Sequence, residues 1–191
     1  AIFTALFDAE TGANFNLGKV PIAANDFAVP VWYTYQIPGP EAPFTLSHDL
    51  DPIGGLIPYI KRAQTFAKNK KPFRLQATLD FPPWWMLDQG LRPRKAPLNR
   101  TYFPEFARYF LSFTQGLAAH GVPVEYLSMF NEPVESYCIA NITQIHELMT
   151  RHVGPLFRST PGAPKLTWGE QYGRTITREK YPALNNMSGM V

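Results

Sequence analysis

One cysteine in 191 residues leaves no disulfide framework within the chain and excludes thiolate-rich metal sites. Cys138 therefore reads as a small buried hydrophobe. Long apolar runs are also missing, and nothing approaches the ~20 residues that a bilayer-spanning helix requires. Charge is sparse and mixed, with 18 Lys plus Arg against 15 Asp plus Glu. A formal charge of +3 is too small and too scattered to specify a nucleic-acid partner, and Lys68, Lys70 and Lys71 form only a short solvated cluster. No Gly-x-Gly-x-x-Gly turn follows any strand-like run, which weighs against a nucleotide-binding open sheet. His48, His120, His146 and His152 fall at a helix entry or on helices, so neither a metal nor another cofactor is implied. Before Ala1 there is no charged leader, and the chain reads as cut at its start.

What the sequence does contain is apolar and aromatic material, 45% and 14% of residues, enough to build a packed core. Three segments carry helical spacing. Asp51 to Asn69 opens with an Asp cap and Pro52 at the first helical position, then places Ile57, Ile60, Ala63 and Ala67 on one face. Pro104 to His120 aligns Phe106, Tyr109, Phe110, Phe113 and Leu117 and stops at Gly121. Thr143 to Phe157 buries Ile145, Leu148, Met149, Val153 and Leu156, with Thr143 as its cap. Between these helices lie short apolar runs at Lys19 to Ala24, Phe73 to Leu79, Val124 to Phe130 and Lys165 to Gly169. That alternation predicts an α/β fold of repeated strand-helix units with parallel strands. An open doubly wound sheet and an eight-stranded barrel both fit, and the missing glycine-rich turn favours the barrel.

Each strand-like run is followed at once by polar or aromatic side chains: Asn25 and Asp26, then Asp80, Trp84 and Trp85, then Asn131 and Glu132, then Glu170 and Gln171. In a barrel these positions form the C-terminal rim, where active sites are built. Carboxylates, carboxamides and indoles converging there suit a sugar, whose hydroxyls bond to the former and whose apolar ring faces stack on the latter. Glu132 is the candidate proton donor to a glycosidic oxygen, and Asn131 beside it is placed to hold a sugar hydroxyl. Trp32, Tyr33 and Tyr35 follow the first rim segment and read as core or cover of the barrel mouth.

Several of these stretches resemble the family 30 glycoside hydrolases, whose members include the glucosylceramidases. Lys19, Val20, Pro21, Ile22 and Ala23 with Asp26 and Phe27 resemble the family's Arg-Val-Pro strand and Asp-Phe, and Phe106 to Phe110 resembles its third helix. The resemblance puts Glu132 on the acid/base, Asn131 on its companion, Asp26 on a sugar-contacting position and Trp85-Met86 on a Trp-Met or Trp-Leu pair. Glu170 and Gln171 resemble an acidic-Gln pair, with Glu170 assigned to substrate binding or to holding other side chains. Two departures stand out. Asp80 replaces a tryptophan that contacts glucose in the glucosylceramidases, and Lys19 replaces an arginine. The run from Pro82 to Met86 is instead similar to a loop of members acting on β-1,6-galactan.

The resemblance implies a partial (β/α)8 TIM barrel over residues 1–191, truncated at both ends, holding roughly strands two to five and reaching the start of strand six. It implies a retaining β-glycosidase acting on a glycolipid or polysaccharide, glucosylceramidase-like, with an endo-β-1,6-galactanase or xylanase type as the alternative. Only the acid/base is expected within the chain, because the family's nucleophile follows the seventh strand, so the chain alone is expected to be unstable and inert. A non-catalytic sugar-binding relative is the competing reading. Asn99, Asn141 and Asn186 each open an Asn-x-Ser/Thr triplet, consistent with a secreted, lysosomal or luminal setting.

Overall fold

The computed structural model describes residues 1–28, 32–67, 73–88, 96–132, 138–139, 142–167 and 170. Helix α1 (Ile2–Phe7) precedes strand β1 (Leu17–Pro21), helix α2 (Leu56–Ala67) and strand β2 (Arg74–Leu79). After β2 come a 3₁₀ turn, Trp84–Met86, and a two-residue strand β3 (Ala96–Pro97). Helix α3 (Phe103–Ala119) and strand β4 (Tyr126–Phe130) follow, then a two-residue strand β5 (Cys138–Ile139) that pairs with β3. Helices α4 (Ile142–Leu148) and α5 (Gly154–Arg158) lead to strand β6 (Lys165–Thr167).

The main sheet is parallel in the order β1-β2-β4-β6. Each long crossover returns to the next strand along, with no reversal of direction. A doubly wound sheet needs such a reversal, whereas a barrel wall grows in one sense, so the strand order favours the arc of a barrel. Leu75, Ala77 and Leu79 of β2 and Leu127 of β4 are buried in one core with Phe103, Phe106, Phe110, Phe113 and Leu117 of α3.

Local chemistry explains most boundaries and corrects three of the sequence expectations. Asp51 and Pro52 do not start α2: the Asp51 carboxylate accepts from the N–H groups of Ile53 and Gly54, which closes a separate turn, and the helix opens at Leu56. Thr143 is not a cap either, since helix begins one residue earlier at Ile142. The Thr143 to Phe157 helix also contains a π-helical turn, Met149–Val153, that spacing alone did not indicate. Pro155 stands just beyond it and has no N–H for the carbonyl four residues back, which is where a widened turn relieves the ladder. By contrast α3 ends as expected, with Gly121 at φ +77° and the Val122 N–H reaching the Leu117 carbonyl at 3.1 Å. Lys68, Lys70, Lys71, Asn141, Gly169, Gln171 and Asn186 lie outside the described residues, as does the side chain of Cys138.

A polar tether fixes the chain just past β1. The Tyr35 hydroxyl donates to Asp49 Oδ2 at 2.5 Å and accepts from the Ala23 N–H at 2.8 Å, while Tyr33 donates to Asp49 Oδ1 at 3.1 Å. Burial pushes the Asp49 carboxyl up, and the hydrogen bonds from Tyr35 and Tyr33 hold it down. Ala23 itself sits at φ +63°, a conformation an alanine keeps only when its surroundings impose it. Tyr35→Phe strands both the Ala23 N–H and one oxygen of a buried carboxylate, and is expected to cost roughly 1.5–3 kcal/mol in denaturant unfolding. Tyr33→Phe, removing a longer bond from a half-buried ring, should cost less.

Candidate active site

Four strand ends meet as the order of the sheet requires. On β2, strand alternation puts Arg74, Gln76, Thr78 and Asp80 on the face away from the helices. Strand β4 would by the same alternation place Phe130 inward and Asn131 on the helix side. The register between the two strands instead slips by one between Thr78 and Leu79, so that Thr78 pairs Ser128 but Leu79 pairs Phe130. The irregularity turns Phe130 onto α3, where its ring lies 5.9 Å from Phe106 and 6.1 Å from Phe110, and brings Asn131 to Asp80. Bulges of this kind are a common device for re-aiming a side chain beside a site.

Asn131 is the hub. Its Nδ2 donates to Asp80 Oδ1 at 2.7 Å, and its Oδ1 accepts from Lys19 Nζ at 2.9 Å. Lys19 also forms an ion pair with Glu170, whose other oxygen accepts from Gln76 Nε2 at 2.8 Å. The backbone joins in: Asn131 bridges to Glu170 as a short parallel extension of the sheet, and the Glu132 N–H donates to the Glu170 carbonyl at 2.6 Å. Glu132 stands at φ +44°, a left-handed conformation that a glutamate adopts at an energetic cost of about 1–3 kcal/mol. The residue read as the proton donor is thus held in a strained backbone that the Glu170 carbonyl helps to fix. Its side chain is partly exposed at the end of β4.

Burial lifts the Asp80 carboxyl from 3.8 to about 6. The hydrogen bond from Asn131 and the charge of Lys19 oppose that rise, while the charges of Asp26 and Glu170 add to it. Since the folded value is the higher one, the contribution of Asp80 to stability is complete below its unfolded value and is lost as pH rises through about 6.

The other expected site residues divide in two. Asp26 is exposed in the turn after β1, close enough for its charge to act on Asp80. Trp84 is half-buried with Trp32 at a centroid distance of 5.6 Å, and Trp32 also lies edge-on to Phe81. Trp85 is half-buried: its Nε1 donates to the Gln36 carbonyl at 3.0 Å and its ring meets that of Tyr102 at 83°, with centroids 5.3 Å apart. Tyr35 is a core residue. Gln76 joins the site without having been expected there, although a glutamine amid Leu75, Ala77 and Leu79 is a polar break in an apolar run, and that break was its signal. Among the described residues no group of three or more His, Cys, Asp or Glu is arranged to hold a metal ion. No described helix is long and apolar enough to cross a membrane.

Comparison with known proteins bears on the family and the fold. Residues 2–154 match the family described as the glycosyl hydrolase family 30 TIM-barrel domain. A putative glucosylceramidase 1 of Caenorhabditis elegans is 30% identical over 130 residues, covering 65% of this chain and 24% of that protein. An endo-1,6-β-D-glucanase of Neurospora crassa is 25% identical over 187 residues, covering 90% of this chain and 37% of its own length. Among solved structures, the catalytic domain of a xylanase C from Talaromyces cellulolyticus superposes with a TM-score of 0.78 at 16% identity, over 100% of this chain and 46% of that one. An endo-β-1,6-glucanase superposes with a TM-score of 0.76 at 18% identity, over 88% of this chain and 38% of the other. The chain therefore spans roughly a quarter to two-fifths of the length of these curated relatives.

Proposed function

The chain belongs to glycosyl hydrolase family 30, with its TIM-barrel domain matched over residues 2–154, and from that membership we propose that it supplies the acid/base half of a retaining β-glycosidase. Glu132 donates a proton to the departing glycosidic oxygen and later removes one from the water that resolves the glycosyl intermediate. The observation that carries this reading is the placement of Glu132: at a strand's C-terminal end, at φ +44°, tied through its N–H to the Glu170 carbonyl and flanked by the anchored Asn131. Among the described residues Asn131 keeps one N–H and one lone pair for a sugar hydroxyl, because each end of its amide spends only part of its capacity on Asp80 and Lys19.

The nucleophile is assigned to a carboxylate outside the described residues. A retaining mechanism places it about 5–5.5 Å from the acid/base. Asp80 Oδ1 accepts from Asn131, and both oxygens of Glu170 are engaged by Lys19 and Gln76, so these two carboxylates serve as anchors. Four strands of the main sheet are described and the family resemblance puts the nucleophile after a seventh, so the 191 residues by themselves are expected to show no turnover.

The substrate is a β-linked glycan or glycolipid, and β-1,6-glucan is the first to test. The relative aligned over 90% of the chain is an endo-1,6-β-D-glucanase, and a carboxylate, Asp80, stands at the rim where the glucosylceramidases have an indole. Loss of the indole removes the stacking face that it would offer a sugar ring. The setting that suits such a substrate is extracellular or luminal. The test is a panel of β-glucosides, β-galactosides, β-xylosides, glucosylceramide and β-1,6-glucan offered to the complete protein. Hydrolysis with retained anomeric configuration supports the proposal. Binding of glycan without turnover of any member of the panel would replace it with a sugar-binding role.

A further inference from the structure

The carboxamide of Asn131 is held between two groups of opposite hydrogen-bonding character. The Lys19 ammonium can only donate, and it meets Oδ1 at 2.9 Å; an ionised Asp80 can only accept, and it meets Nδ2 at 2.7 Å. An amide has two nearly isosteric ends, and between a pure donor and a pure acceptor it fits only one way round. The Asp80 residue is 5% exposed, so water competes little for its oxygens. Lys19 is in turn held by Glu170, which Gln76 holds, so the lock is braced from β1, β2 and the residue past β6 rather than by a single contact.

We propose that Asp80 is a positioning residue that, together with Lys19, locks the Asn131 carboxamide in one orientation and so fixes the hydrogen-bonding face that Asn131 presents to a sugar hydroxyl beside Glu132. The inference rests on the glycosidase reading above for its catalytic consequence, and on geometry alone for the lock itself. It also explains what the aspartate does where the glucosylceramidases have an indole: it orients a neighbour instead of stacking on a sugar ring.

Ionisation of Asp80 sharpens the lock. A protonated carboxyl can donate as well as accept and no longer distinguishes the two ends of the amide. Charged groups that bear on Asp80 are Lys19 from β1, Asp26 from the turn after it, and Glu170 from the end of the β6 segment, with the Glu132 carboxyl next in sequence to its partner Asn131. Burial places the Asp80 transition at about 6, and the side-chain amide of Asn131 is expected to follow it.

Two measurements on the complete protein separate this role from a merely structural one. The first compares Asp80→Leu on paired aryl β-glycosides that differ only in the sugar 2-hydroxyl. The loss on the hydroxylated substrate is expected to be about 10–100-fold in kcat/KM, the scale of one hydrogen bond involving a charged group, and much smaller on its 2-deoxy partner, with Asp80→Asn recovering part of the loss. Equal losses on both substrates would overturn the proposal. The second follows the Asn131 side-chain amide by ¹⁵N-resolved NMR between about pH 4 and about pH 8. A transition present in the parent and absent from Asp80→Asn supports the lock, and an unmoving Asn131 signal overturns it. An Asn131 amide that tracks Asp80 in a protein hydrolysing none of the panel would leave the lock standing and remove the glycosidase reading.

Discussion

Glu132→Gln is expected to reduce hydrolysis by the complete protein about 10²–10⁴-fold, the range that a general acid/base contributes. The substitution keeps the size of the side chain and its backbone N–H bond to the Glu170 carbonyl, while it removes the transferable proton. Its effect should depend on the leaving group. An alkyl or sugar aglycone leaves as a strong base and needs protonation, so the loss is near the upper end. An activated aryl aglycone needs little help to leave, and with it the second, water-consuming step limits, so the glycosyl intermediate accumulates and an initial burst of phenol appears. Glu170→Gln separates the two roles assigned to glutamates at this rim. Losing a carboxylate that anchors Lys19 should weaken binding and turnover together without making the reaction sensitive to the leaving group. A Glu132→Gln protein with parental turnover on a sugar aglycone would refute the assignment.

Much of this could be read from residues in sequence order, and the part that could not has a physical cause. Short apolar runs interleaved with one-sided helices specified the α/β class, and α3 was visible from its phenylalanine spacing and from Gly121 because local propensity and burial agree there. The polar residues that close the strand-like runs are the ones whose side chains meet: Asp80, Asn131 and Glu170 form one network. Three things escaped. The slip between β2 and β4 depends on pairing across 51 residues, which no window of sequence contains. The π-helical turn depends on how Met149 and Val153 seat in the core, with Pro155 beyond. Trp85 has the composition of a sugar platform, and its partners, the Gln36 carbonyl at its Nε1 and the Tyr102 ring, are not visible in its local sequence. An indole's role is decided by its neighbours, and those come from distant parts of the chain.

The register slip also decides how the site depends on the core, which leads to the largest expected loss of stability. Phe106 is fully buried and packs with three other rings: Phe103 at 6.4 Å, Phe110 at 6.3 Å and Phe130 at 5.9 Å, the contact with Phe130 being edge-on. Truncation to alanine removes the transfer energy of the ring and leaves a cavity that a helix-on-sheet interface cannot close, at an expected cost of about 3–5 kcal/mol. Against a typical total of roughly 5–15 kcal/mol, that is a large share of the margin. Thermal unfolding should fall by roughly 10 °C or more for a domain of this size. Ile53→Ala, at a side chain 97% exposed, is the matched control and should shift unfolding by less than about 0.5 kcal/mol. Phe130 immediately precedes Asn131 and Glu132, so a cavity beneath its ring loosens the end of β4 as well as the core. Phe106→Ala is therefore expected to lower kcat even at temperatures where it stays folded, and Phe106→Leu, which refills most of the volume, to restore both properties in part. Restoration of stability without any recovery of kcat would show that the rim is set by the strand network alone.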